Sequence, residues 1–318
     1  MTRMERTHPG TKVSEWASGS IAANPGWIRQ PAGYFGGGND SGNQSTVDKI
    51  LFSNDSRTTL GTGMSVIREG LAGMASSVAG YFGGGEGGTN AGNIVDRFLF
   101  SNDSRTTLGT GLSVTRYNLA AMASPVAGYF GGGYYPWSAV VDRFLFSNDS
   151  RTVLSTGLSV ARQYPSGMAS SVAGYFGGGV AESSGASSVV DRFLFSNDSR
   201  TTLGTGLSAA RSQIAGFASD VAGYYAGGGS PNVTTVDRFL FSNDSRTTLT
   251  NGVSAARAGA GGMASDSAGY MGGGRNASST NVDIVDRWLF SNDSRTTLST
   301  GLSYTPNNVG AFGDSSSV

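Results

Sequence analysis

The chain has 318 residues, 50 of them glycine and none cysteine, and its 22 basic and 22 acidic side chains sum to a formal charge of zero. Neutrality removes the basic footprint of a nucleic-acid binder. The absence of cysteine removes disulfides and thiolate metal sites, and the single histidine, His8, leaves no imidazole cluster for zinc.

Along the chain, Met1 to Arg6 lead into no apolar stretch, so no signal peptide is expected. No apolar run approaches the roughly 20 residues of a membrane-spanning helix, so no membrane insertion is expected either. Residues 1 to 31 read as an N-terminal arm with Trp16 and Trp27 free to dock on the rest of the chain or on a partner. Residues 32 to 318 read as one repeat array. The string Phe-Ser-Asn-Asp-Ser-Arg-Thr starts at Phe52, Phe100, Phe146, Phe195, Phe241 and Phe290. The aspartates just before it, Asp48, Asp96, Asp142, Asp191, Asp237 and Asp286, are spaced by 48, 46, 49, 46 and 49 residues. Periods of this length are the mark of repeat architecture.

Within one repeat the expected strands follow in order. Ala215-Gly-Phe-Ala-Ser is short and small, and Ala222-Gly-Tyr-Tyr carries aromatics into a glycine triplet. Val236-Asp-Arg-Phe-Leu-Phe is rich in strand formers, and Thr247-Thr-Leu-Thr completes a fourth strand. Between the third and fourth, Ser-Asn-Asp-Ser predicts a tight hairpin turn, because these side chains bond the local backbone. Asp55, Asp103, Asp149, Asp198, Asp244 and Asp293 are read as structural members of that turn. The glycine triplets (Gly36–Gly38 and its five successors) are expected where a positive φ or a close backbone approach excludes a Cβ. A phosphate-cradling role is disfavoured because no helix pattern follows any triplet. Four short strands per 40 to 50 residues predict the blades of an all-β, six-bladed β-propeller.

Gly-Tyr-Phe-Gly-Gly-Gly followed, after a variable gap, by Val-Asp-Arg-Phe-Leu-Phe resembles kelch repeats over about residues 32 to 303, with leucine where kelch repeats carry a tryptophan in the last strand. Ser53-Asn54-Asp55-Ser56-Arg57-Thr58-Thr59-Leu60 also resembles the Asp-box of sialidase-type propellers, which implies a structural hairpin. The near-identical tandem copies are similar to kelch-like virion and tail-fibre proteins of phages that infect cyanobacteria. That resemblance implies a protein made in the host cytoplasm and carried on a virion in several copies, with other virion proteins and a host surface glycan or protein as partners.

Two segments compete to supply the innermost strand of the first blade. Gly26-Trp-Ile-Arg-Gln-Pro has the right spacing, whereas residues 309 to 315, Val309-Gly-Ala-Phe-Gly-Asp-Ser, match the small core of Ile214-Ala-Gly-Phe-Ala-Ser-Asp and are favoured.

Divergence among the copies is confined to two gaps, after the glycine triplet and after the fourth strand. In a four-stranded antiparallel blade both lie on one side of the disc, and variable loops on a rigid frame are where binding concentrates. Tyr117, Tyr134, Tyr135, Trp137 and Tyr164 fall in these gaps around the third repeat and form the candidate ligand-binding set, suited to stack on sugar rings or hold a protein. Arg68, Arg116, Arg162, Arg211 and Arg257 recur after the fourth strand, and Pro306 breaks the series. The kelch resemblance implies that they face a ligand; an ion pair with a strand aspartate of the adjacent blade is the other reading, and the favoured one.

No enzyme is expected. The histidine and cysteine ligands of kelch-type copper oxidases are missing, so no cofactor is expected, and the five glutamates lie in the arm or in loops. A two-carboxylate hydrolase would have to draw on Asp40, Glu86 or Glu182. The functional expectation is a phage virion or tail-fibre-associated binding module that recognises host cell-surface polysaccharide or protein. A structural virion-assembly protein and a cytosolic kelch-type scaffold are the alternatives.

Overall fold

A computed structural model describes residues 31–87 and 91–314. The expected arm, with Trp16 and Trp27, lies outside the described residues apart from Pro31, as does the end of the chain beyond Asp314. The described chain is all-β apart from one short 3-10 turn at Ala91–Asn93, and it consists of repeated four-stranded antiparallel sheets of a β-propeller-like kind.

The second repeat shows the pattern. Ala72–Ala75, Ala79–Gly83, Val95–Leu99 and Arg105–Thr107 pair in sequence order, each antiparallel to the next. Among the described residues six such sheets occur, one for each strand aspartate from Asp48 to Asp286, and they are numbered here as units one to six. In unit one the strands Ala32–Gly36, Val47–Leu51 and Arg57–Thr59 are joined by Gly310–Gly313, which pairs with Ala32–Gly36 in the register Gly33↔Gly313 to Gly36↔Gly310.

Alternation along the second strand sends successive aromatics to opposite faces of its sheet. Tyr34 packs with Phe82, Phe98 and Phe312 on the side of unit two, while Phe35 packs with Met263, Tyr270 and Val285 of unit six. The core is therefore a series of apolar layers between neighbouring sheets, and each fully buried aromatic contributes about 2 kcal/mol.

The glycine triplet has two separate causes. A Cβ on Gly83, at the strand end, would lie 2.4 Å from the ring of Phe130 in the next sheet, whereas Gly84 and Gly85 have φ of 70° and 108°. Unit five departs from this in a compensating way. Ala226 stands where the others have the first glycine, and the residue it packs against in unit six is Met271 in place of an aromatic.

The hairpin between the third and fourth strands forms as expected. Asn54 Oδ1 accepts the Ser56 N–H at 3.0 Å, and Asp55 takes φ 56°. Its aspartate also clasps two units together. Asp103 accepts from the Tyr34 hydroxyl at 2.7 Å and pairs with Lys49 at 2.9 Å, both from unit one. The pattern repeats from Tyr81 and Arg97 with Asp149 to Tyr224 and Arg238 with Asp293. Asp55 of unit one receives Tyr270 and Arg287 of unit six.

Candidate functional site

The two variable connections of each unit emerge at the ends of its strands opposite the hairpins, and short backbone constraints hold them there. After the fourth strand the chain turns at a serine whose N–H donates to the strand aspartate of the following unit, as Ser65 does to Asp96 at 3.0 Å. Three residues on, the arginine reaches the same carboxylate. Arg68–Asp96, Arg116–Asp142, Arg162–Asp191, Arg211–Asp237 and Arg257–Asp286 pair at 2.9 to 3.0 Å, with side chains at most 2% exposed. The ligand-facing reading of Arg68, Arg116, Arg162, Arg211 and Arg257 is thereby corrected. A buried guanidinium needs a carboxylate, and the strand aspartate of the next unit supplies it.

Two residues beyond each arginine or its equivalent, the chain takes a positive φ at Gly70, Asn118, Tyr164, Gln213, Gly259 and Asn308. Their backbone groups bond head to tail. The Asn118 N–H donates to Gly70 O at 2.6 Å, Tyr164 to Asn118 O at 2.6 Å, Gln213 to Tyr164 O at 3.3 Å, and Gly259 to Gln213 O at 2.9 Å. Val309 N–H donates to Gly259 O at 3.4 Å, and Gly70 N–H to Asn308 O at 2.9 Å. This cycle rims an opening of about 110 Å³ lined by the first strands, which stand side by side. Such a volume holds a few water molecules.

The residue after each arginine, or after Pro306, lies opposite the residue that follows the positive-φ glycines. Glu69 faces Glu86, Tyr117 faces Tyr134, and Gln163 faces Val180. Ser212 faces Gly229, Ala258 faces Arg275, and Asn307 faces Asn39. One frame position per unit thus presents six chemically different pairs on one face.

Four of the five candidate aromatics come together there. The Tyr134 ring meets Tyr117 at 5.5 Å and 83°, Trp137 at 5.2 Å and 77°, and Tyr135 at 6.3 Å and 63°. Tyr117, Tyr134 and Trp137 are half-buried, and Tyr135 is 69% exposed. Tyr164 sits elsewhere, half-buried at the rim of the opening lined by the first strands. Burial raises the pKa of both Tyr117 and Tyr164. The next contribution is the negative charge of Glu86 for Tyr117 and of Glu69 for Tyr164.

Glu69, absent from the candidate set, belongs to the same face. Its Oε1 accepts from Asn39 Nδ2 at 3.2 Å and its Oε2 from Asn308 Nδ2 at 3.0 Å. The chain carries a readable signal for it, since Glu69 follows the series arginine directly and Glu86 follows the triplet directly. Of the other carboxylates considered for hydrolysis, Asp40 is tied to Thr305 at 2.9 Å and Glu182 is exposed in the loop of unit four. Among the described residues no group of three or more His, Cys, Asp or Glu side chains is placed to hold a metal ion.

No protein-family model matches the chain, and no curated protein matches it either.

Proposed function

We propose that residues 32 to 318 form a closed, six-bladed, kelch-like propeller in which the C-terminal strand completes the first blade. Its function in this reading is that of a non-enzymatic binding module associated with a phage virion or tail fibre. The loops on one face recognise host cell-surface polysaccharide or protein, with several copies acting together. The observation that carries the reading is the aromatic cluster of Tyr117, Tyr134, Tyr135 and Trp137, set in Ser/Asn/Gly loops on a face whose frame is repeated almost unchanged. Flat rings with polar edges suit both sugars and protein side chains. Replacing Tyr134, Tyr135 and Trp137 together with alanine is expected to lower glycan or whole-cell binding at least about 100-fold, as loss of anchoring aromatics does at other interfaces. Unchanged binding by a folded triple variant would remove the proposal.

A second reading, a structural assembly protein, has its own support on the opposite face. The turn between first and second strands carries an exposed valine in four consecutive units, Val78, Val126, Val172 and Val221, at 60 to 64% exposure. Repeated apolar exposure of this kind marks contact surfaces. Changing all four valines to serine would block incorporation into a larger particle under this reading and leave ligand binding intact.

A further inference from the structure

We infer that the sector of the variable face shared by Glu69, Glu86, Tyr117 and Tyr134 binds a protonated amine, and that its ligand is a glycan containing an unacetylated amino sugar. This rests on the binding-face reading above and narrows its ligand class.

The first observation is an electrostatic conflict. Glu69 and Glu86 lie directly opposite one another in an antiparallel pair, where like charges destabilise the pairing. Elsewhere in the frame carboxylates are neutralised: the strand aspartates and the hairpin aspartates all sit beside Arg or Lys. Among the described residues neither glutamate has a cation within ion-pair distance. Glu69 is instead oriented by the amides of Asn39 and Asn308, which fix its carboxylate without cancelling its charge. Glu86 is exposed.

The second observation is what stands beside the pair. The next unit presents Tyr117 and Tyr134 at the same frame position, with rings at 83° to one another and Trp137 behind Tyr134 at 77°. Rings at right angles offer both faces and edges, and ring faces attract ammonium groups. The Asn118 N–H donates to Gly70 O at 2.6 Å, so Tyr117 and Glu69, the residues just before them, stand on neighbouring connections, and the Glu86 charge adds to the burial that raises the Tyr117 pKa. A neutral sugar can use these carboxylates only as acceptors for its hydroxyls, which leaves their charges unbalanced by any cation among the described residues. An ammonium group uses the acids through charge and the rings through their quadrupoles, while the exposed Tyr135 offers a surface on which the sugar ring can stack. Among the described residues no third carboxylate, histidine or cysteine joins the two glutamates to hold a metal ion.

The test compares glucosamine hexamer with its fully N-acetylated counterpart by titration calorimetry on the full chain. At about pH 6 the amines are charged, being below their ordinary range. The expected result is a preference for the free amine of at least about tenfold. It should fall below about twofold in Glu86→Gln and in Glu69→Gln, and shrink as salt is raised to about 0.5 M. Glu86 is exposed, so that variant should fold normally. Equal affinity for both oligomers, lost on Tyr135→Ala, would overturn the amine assignment and leave glycan binding standing. Binding of a lysine peptide with neither oligomer would overturn the amino-sugar ligand. Absence of binding to both oligomers, the peptide and whole cells would overturn this inference and the binding-face reading together.

Discussion

Five of the six unit boundaries are closed by a buried arginine on an aspartate, and the sixth is not. Between units six and one, Pro306 occupies the arginine position, so among the described residues Asp48, although fully buried, has only Arg57 at 3.7 Å for a cation. The serine contact is kept, Ser303 N–H donating to Asp48 at 2.6 Å. Beside it, the Tyr304 hydroxyl donates to Gly37 O at 2.6 Å. Thr305 adds a contact to Asp40 at 2.9 Å. At this boundary a neutral hydroxyl thus stands where the others have a guanidinium. The frame evidently requires a filled, hydrogen-bonded junction more than it requires a particular charge pair, and the junctions can be perturbed one at a time.

The largest effect is expected at an arginine junction. Arg116→Ala strands the buried Asp142 carboxylate and should cost about 3–5 kcal/mol in urea denaturation. The double variant Arg116→Met with Asp142→Leu should recover most of that loss; failure to do so would mean that the geometry of the pair, rather than the isolated charge, holds the boundary. Acid should act at the same kind of junction. Burial alone would raise the Asp286 pKa, but Arg257, Thr297 and Ser254 outweigh it and hold the carboxyl below its usual range. The stability this supplies is complete above about pH 4 and disappears as pH falls through the lower folded-state value. Neutralising Asp286 as Asn should flatten that part of the acid limb.

The sixth boundary should respond in the opposite pH direction and by less. Tyr304→Phe removes one hydrogen bond to a buried carbonyl, a loss of about 1–1.5 kcal/mol. Burial, then Asp48 and Asp40, raises the Tyr304 pKa, so its stabilisation is present below about pH 10 and lost as pH climbs above it. The phenylalanine variant should lose correspondingly less stability in alkali, and an unchanged alkaline limb would show that Tyr304 does not titrate with unfolding. The smallest effect is expected at the rim of the opening between the first strands. Tyr164 holds a bulky side chain at φ 55°, so Tyr164→Gly should change stability by less than about 0.5 kcal/mol, relief of strain offsetting lost ring burial.

The repeated strings located the strands and the hairpin correctly because each is set by local chemistry: alternation in Val-Asp-Arg-Phe-Leu, and the Asx bond of Asn54 to Ser56. The triplet glycines were legible as a group, but their division into ring seat and positive-φ turn was not, since Gly83 is required by Phe130 from another unit. The aromatic loop was legible as a departure from the repeat. Tyr164, one residue past the frame position held by Gln163, was not separable from Tyr117 and Tyr134 by spacing alone, because only the strand register unites those two.

Composition and period by themselves determined that this chain builds repeated four-stranded sheets with one conserved hairpin and variable loops, because strand alternation and turn chemistry act within a few residues. Only the tertiary structure decided that the recurring arginines are internal and that the hairpin aspartates join neighbouring units. It alone set Glu69 across from Glu86 beside Tyr117 and Tyr134. Each of those contacts joins residues from different repeats or different connections, and partners that distant are fixed by packing rather than by local preference.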